Sequence, residues 1–124
     1  MIKISSPFGN RSKVTRSERK MKEKFIDKIV KEQFPGSWVY VPREMYRSGI
    51  PDVMIVFGGN IYCYELKMQG NKLTPLQLEN LRVLSANGAI AKVITQLKDG
   101  SFVYETYEEY VERVNISGEL KKSL

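Results

Sequence analysis

The stretch PDVMIVFGGNIYCYELK, Pro51 to Lys67, decides the fold of this chain. Asp52–Phe57 and Asn60–Lys67 are rich in β-branched and aromatic residues, and the Gly58-Gly59 pair between them signals a two-residue hairpin. A turn of that length sets Phe57 opposite Asn60, so Met54 faces Cys63 and Asp52 faces Glu65. Directly opposed residues have Cβ atoms about 4.5–5.5 Å apart, where like charges destabilise a sheet unless a cation lies between them. Lys67 stands two residues beyond Glu65 and so projects from the same face. Asp52, Glu65 and Lys67 therefore converge at the open end of one hairpin.

Upstream, the spacing of Met21, Phe25, Ile26, Ile29, Val30 and Phe34 predicts an amphipathic helix. Thr15 and Glu18 form a capping-box pattern at its start, and Pro35-Gly36 ends it. Trp38–Val41 reads as a strand closed by Pro42, followed by a polar connector with Arg43, Glu44, Arg47 and Gly49. Downstream, Thr74-Pro75-Leu76-Gln77 opens a helix with Thr at the cap, Pro in the first turn and Gln at the third position. That helix ends near Asn87-Gly88. Ile90–Thr95 reads as a buried strand, and Phe102–Tyr104 as a short one after the Asp99-Gly100 turn. Thr106 and Glu109 cap a last helix reaching Val114. The order is α-β-β-β-α-β, then a short β and a C-terminal α: one α/β domain with a mixed sheet over residues 15–116. Residues 1–14 form a polar basic arm and 117–124 a polar tail.

Composition narrows the chemistry. A chain of 124 residues, 42% hydrophobic, fits one core. It contains no histidine, which removes Ser-His-Asp and Cys-His catalysis and histidine-zinc sites. The single cysteine, Cys63, excludes an intramolecular disulfide and points to a reducing compartment; it reads as a small core residue. No run approaches a membrane span and MIKISSPFGNRSK lacks the apolar core of a signal peptide, so a soluble cytoplasmic protein is expected. Lys3, Arg11, Lys13, Arg16, Arg19, Lys20, Lys22 and Lys24 stand against only Glu18 and Glu23 in residues 1–24. The whole net charge of +6 therefore resides there. Such a segment is either a solvated basic helix face or an arm that contacts phosphates.

Two opposed carboxylates beside a lysine suit metal-assisted phosphodiester hydrolysis. Hard oxygen ligands select Mg²⁺ or Mn²⁺, and a neighbouring lysine orients water or offsets charge on phosphorus. Each residue also has an ordinary reading: Asp52 as a turn residue after proline, Glu65 and Lys67 as solvated charges at a strand end.

Gly49-Ile50-Pro51-Asp52, Tyr64-Glu65-Leu66-Lys67 and Leu73-Thr74-Pro75-Leu76-Gln77, in that order, resemble the PD-(D/E)xK nuclease superfamily and, within it, the VRR-NUC (virus-type replication-repair nuclease) domain. The resemblance spans about Glu23 to Ile94 and implies a restriction-endonuclease-like core. It makes Asp52 and Glu65 metal ligands and Lys67 the catalytic lysine. Gln77 would lie by the site while also completing the capping box with Thr74. A helix-one acid is implied too, and Glu23 is preferred as a further ligand because the capping box already explains Glu18. The implied activity is a Mg²⁺- or Mn²⁺-dependent DNA endonuclease of phage type, acting on branched DNA such as four-way junctions as a two-fold homodimer. Arg11, Lys13, Arg16, Arg19, Lys20, Arg43, Arg47 and Lys72 are the candidate DNA contacts, with Tyr40 and Tyr46 beside them. Tyr62 and Tyr64, on the face away from Asp52, read as packing. Leu78, Leu81, Tyr107, Tyr110 and Val114 are candidates for the dimer surface and equally for the core. A restriction-like or nicking nuclease and a non-catalytic DNA-binding module remain the alternatives.

Overall fold

The computed structural model describes residues 16–42 and 49–116 of the chain. The Thr15–Glu18 capping box, the arm, the connector residues 43–48 and the tail lie outside the described residues. The first helix, α1, begins as an α-helix over Arg16–Lys24, widens to a π-helix over Phe25–Val30 and closes with an α-helical turn, Lys31–Gln33. Then follow β1 (Trp38–Tyr40), β2 (Val53–Phe57), β3 (Asn60–Met68), α2 (Pro75–Ala86), β4 (Ile90–Gln96), β5 (Phe102–Thr106) and α3 (Tyr107–Ile116). This is the order read from the sequence. No helix among the described residues is long and apolar enough to cross a membrane.

The five strands form one sheet in the order β1-β2-β3-β4-β5. All neighbours are antiparallel except β3 and β4, which run parallel because α2 carries the chain between them. The β2–β3 hairpin has the register expected from Gly58-Gly59, with Phe57 opposite Asn60, Met54 opposite Cys63 and Val53 opposite Tyr64. Gly58 and Gly59 have φ of 58° and 82°, the doubly left-handed turn that matches strand twist.

Two apolar layers sandwich the sheet. On one face α1 lays Met21, Phe25, Val30 and Phe34 onto Val53, Ile55, Tyr64, Leu66 and Ile94. Phe25 meets Tyr64 and Phe102 edge-on, with ring centroids 5.9 and 5.5 Å apart. Phe34 packs on Tyr62 at 4.8 Å. Tyr62 and Tyr64 are thus packing residues. On the other face α2 and α3 bury Leu73, Leu81, Ala91, Val93, Tyr110 and Val114, with Leu78 and Tyr107 packed against them. The core reading therefore holds for Leu81, Tyr110 and Val114, whose apolar area is spent on holding α2 and α3 to the sheet, whereas Leu78 and Tyr107 pack on that core while staying half-exposed.

The buried positions of α1 are spaced four, five and four residues apart (Met21, Phe25, Val30, Phe34). Five-residue spacing is that of a π-helix, and it turns the first half of α1 relative to where uniform α-helical spacing would put it.

Gly49, with φ of 77°, ties the approach to Asp52 onto α2. Asn80 Nδ2 donates to the Gly49 carbonyl at 2.8 Å, and a Cβ here would lie 2.8 Å from both Asn80 Nδ2 and Leu76 Cγ. Gly49→Ala is expected to destabilise the protein by about 1–3 kcal/mol more than Gly70→Ala, whose Cβ meets nothing within 4 Å although its φ is also positive. Urea unfolding of the two variants measures the difference; equal midpoints would mean that the close approach costs nothing.

Candidate active site

Asp52 stands one residue before β2, and its N–H donates to the Tyr64 carbonyl at 3.0 Å. Its Oδ2 accepts from the Leu66 N–H at 2.8 Å, so the side chain takes the place of the next partner in the ladder. Oδ1 pairs with Lys22 Nζ at 2.7 Å. The carboxylate is thus fixed on both oxygens. Pro51 ahead of it is buried and supplies no N–H that would need a partner.

Glu65, in the middle of β3, is 2% exposed and is the only buried charged residue among those described. Gln77 Nε2 donates to its Oε1 at 3.3 Å, whereas Oε2 is buried and meets no donor. Burial first, then the Asp52 charge and a hydrogen bond to the Asp52 carboxyl, push Glu65 well above the usual carboxylate range. Lys67 and Lys22 pull the other way without prevailing. Without a metal, Glu65 keeps its proton near neutral pH.

Gln77 closes the capping box read from its sequence position and also lies against Glu65. Its Oε1 accepts from the Thr74 N–H at 2.8 Å and its own N–H donates to Thr74 Oγ1 at 3.1 Å, closing the capping box, while its Nε2 reaches Glu65. Helix α2 therefore starts where its first turn can hold a buried strand carboxyl. Lys67 is half-buried on the Glu65 face, one pleat farther along β3. Cys63 shares that face, fully buried, with its thiol pushed up by burial and so held as an inert S–H.

Glu23 does not join them. It is exposed and lines a cleft with Arg19, Lys20, Lys24, Ile26, Asp27 and Val41. Counting back from Phe34, Val30 and Ile26 at α-helical spacing reaches residue 23. The π-helical segment rotates the first turn, and Lys22 reaches Asp52 instead. The interaction of Lys22 was missed from sequence. Its signal was the half-buried flank Lys22, Ile26 and Ile29 beside the core stripe, where a lysine stem packs and its head emerges. Glu18 lies one helical turn before Lys22, with its side chain outside the described residues. Of the candidate DNA contacts, Arg19, Lys20 and Lys72 are exposed. Arg11, Lys13, Arg43 and Arg47, the side chain of Arg16, and Tyr46 lie outside the described residues.

The donor set fits a hard divalent cation. Asp52 and Glu65 bring carboxylate oxygens together, and the buried Glu65 Oε2 accepts from no donor. No group of three His, Cys, Asp or Glu gathers among the described residues. Mg²⁺ commonly takes only one or two carboxylates and completes its shell with water and phosphate oxygens.

A pH dependence follows. Because the folded Glu65 binds its proton more tightly than the unfolded chain does, its contribution to stability is complete below about 4.5, the ordinary value, and declines as pH rises toward its folded value. The melting temperature in chelator should fall with pH from mildly acidic to alkaline conditions, and Glu65→Gln should flatten the fall. A slope unchanged in Glu65→Gln would place the responsible group elsewhere.

Neither a protein-family model nor a curated protein matches the sequence. Among solved structures, the chain is similar to Archaeoglobus fulgidus Hjc, a Holliday junction resolvase from an archaeal hyperthermophile. The two share 18% identity and a TM-score of 0.58 over 73% of this chain and 77% of that one. A VRR_NUC domain aligns over 76% of this chain and 95% of its own, with 26% identity and a TM-score of 0.48. The sheet and its flanking helices form a restriction-endonuclease-like α/β fold matching that of the resolvase.

Proposed function

We propose that this chain is a metal-dependent DNA endonuclease working through Asp52, Glu65 and Lys67, with Mg²⁺ or Mn²⁺ held by the two carboxylates. One observation carries the reading: a buried Glu65 oxygen without a donor stands beside a second, rigidly held carboxylate at the mouth of a hairpin. The bound cation would polarise the phosphoryl oxygen and lower the pKa of an attacking water. The Leu66 N–H already positions Asp52 through Oδ2; Lys22 neutralises the carboxylate meanwhile and would release Oδ1 to a cation. To serve as a ligand Glu65 would have to lose its proton to solvent, with Gln77 holding its Oε1 in place. Lys67, half-buried beside Glu65, orients the water or offsets charge on the scissile phosphate. Arg19, Lys20 and Lys72, with the basic arm and the connector arginines, supply sequence-independent attraction to the backbone.

For substrate we favour branched DNA, by analogy with the structurally similar resolvase. One Asp-Glu-Lys site cuts one strand at a time, so paired cuts in a four-way junction call for a two-fold dimer. Cleavage of four-way, linear duplex, single-stranded and supercoiled DNA, with light scattering on the same sample, tests this. Paired symmetric cuts by a dimer support it. A monomer that only nicks would end the junction reading and favour a nicking nuclease.

A further inference from the structure

Among the described residues, α2 and α3 cover only one side of the sheet face that carries Glu65. Strand pairing extends that face outward in rows: Tyr40 lies across from Met54 and Cys63, and Trp38 across from Val56 and Ile61. Alternation along β3 puts Cys63 and Ile61 on the Glu65 side. Trp38 is 60% exposed, Tyr40 39%, and Val56 and Ile61 are exposed as well. Val39, between the two aromatic residues, turns the other way and packs under α1. The rings of Trp38 and Tyr40 stack at 24° with centroids 6.0 Å apart. An exposed two-ring aromatic stack therefore starts one row from the Asp52–Glu65 row, about 7 Å along the strand, and reaches about 13 Å from it.

We propose that Trp38 and Tyr40 are a stacking platform for unpaired nucleobases of DNA whose backbone enters the Asp52–Glu65 site. The proposal rests on the nuclease reading above and narrows its substrate to DNA with unstacked bases beside the scissile phosphate. In a duplex the base faces are stacked on one another and only edges are offered to a protein, whereas splayed bases present their faces to aromatic side chains. Phosphates following that path meet no carboxylate in either aromatic row, and the chain as a whole carries +6. A second copy of the chain is the other possible occupant. Four exposed side chains fall far short of the roughly 20 residues per partner of a stable interface, and a three-residue edge strand offers little ladder for strand addition.

Trp38 is the only tryptophan in the chain, so its emission reports the platform without a label. In chelator, to prevent cleavage, a short oligothymidylate should quench that emission, and a blunt duplex of equal length should quench it far less. Anisotropy of labelled oligothymidylate should show Trp38→Ala and Tyr40→Ala weakening binding by about 5- to 100-fold each. Trp38→Phe, which keeps a ring, should recover most of the loss, and unchanged melting temperatures would show that the fold is intact. No quenching, together with unchanged affinity in both alanine variants, overturns the platform; metal-dependent cleavage persisting in those variants would leave the nuclease reading standing. Conversely, quenching and ring-dependent binding in a protein that cuts no DNA would sustain the platform while the nuclease reading fails. A sedimentation shift from dimer to monomer in Trp38→Ala, with oligothymidylate affinity unchanged, gives the face to a second copy and overturns the proposal. Should Trp38→Ala not fold, the unsubstituted protein's quenching and the Tyr40→Ala affinity decide it.

Discussion

Glu65→Gln is expected to lower DNA cleavage by at least about 10²-fold while leaving the metal-free protein folded, as stable as the unsubstituted chain in mildly acidic solution and more stable than it near neutral pH, where the unfolded chain gains by ionising Glu65. Those two outcomes seldom go together for a buried residue, and the site geometry explains why they should here. Without metal, Glu65 is held protonated by burial and by Asp52, so a neutral amide of nearly the same shape replaces a neutral acid. With metal, the amide supplies no negative charge and the stabilisation of the developing charge is lost. Thermal shift makes the same distinction: divalent metal should raise the melting temperature of the unsubstituted chain and not that of Glu65→Gln. Asp52→Asn should lose activity to a similar degree but should also lower stability somewhat, because the Lys22 ion pair goes with it. Initial rates and melting curves on the three proteins check these statements; an Asp52→Asn or Glu65→Gln protein that cuts at the original rate contradicts them.

Lys67→Met should reduce cleavage by about 10²- to 10³-fold and, unlike the carboxylate variants, should keep metal binding. The lysine charge favours ionised Glu65. Removing it lets Glu65 hold its proton to higher pH, so metal uptake in Lys67→Met should need a more alkaline solution than in the unsubstituted protein. Once Glu65 is ionised, the metal should bind at least as tightly, since a neighbouring positive charge is gone. Calorimetric metal titrations across pH separate the two effects. Loss of binding at every pH would make Lys67 a structural support of the site instead of a group that acts on the phosphate or the water.

The hairpin was legible because a Gly-Gly turn leaves one register and period-two alternation then fixes every side chain on a face. Asp52, Glu65 and Lys67 converge as read from that register alone. Gln77 was legible because a capping box fixes the first turn of α2, although its hydrogen bond to Glu65 depends on how α2 sits over β3. The first helix was legible as an element and misleading in phase. Uniform α-helical spacing points Glu23 at the sheet, and the π-helical segment over Phe25–Val30 brings Lys22 there instead. The five-residue step between Phe25 and Val30 was present in the sequence, but Ile26 and Ile29 fill the gaps and let a uniform α-helical stripe be drawn. The dimer candidates on α2 and α3 illustrate a different limit. An apolar side chain on a helix reads alike whether it meets a sheet or a second molecule, and only the packing of Leu81, Tyr110 and Val114 under the sheet decides it. The aromatic rows of β1 were only half legible: Tyr40 reads from sequence as lying beside the DNA contacts, but that Trp38 shares its exposed face emerges only from the strand pairing.

The most direct measurement is cleavage of supercoiled plasmid by the purified chain at matched ionic strength, with Mg²⁺ or Mn²⁺ on one side and EDTA on the other. Glu65→Gln, prepared in parallel, controls for any contaminating nuclease. The account predicts conversion to nicked or linear DNA with either metal, none in EDTA, and none above background for Glu65→Gln. Equal cleavage in EDTA, equal cleavage by Glu65→Gln, or no cleavage of any DNA with metal present would contradict it.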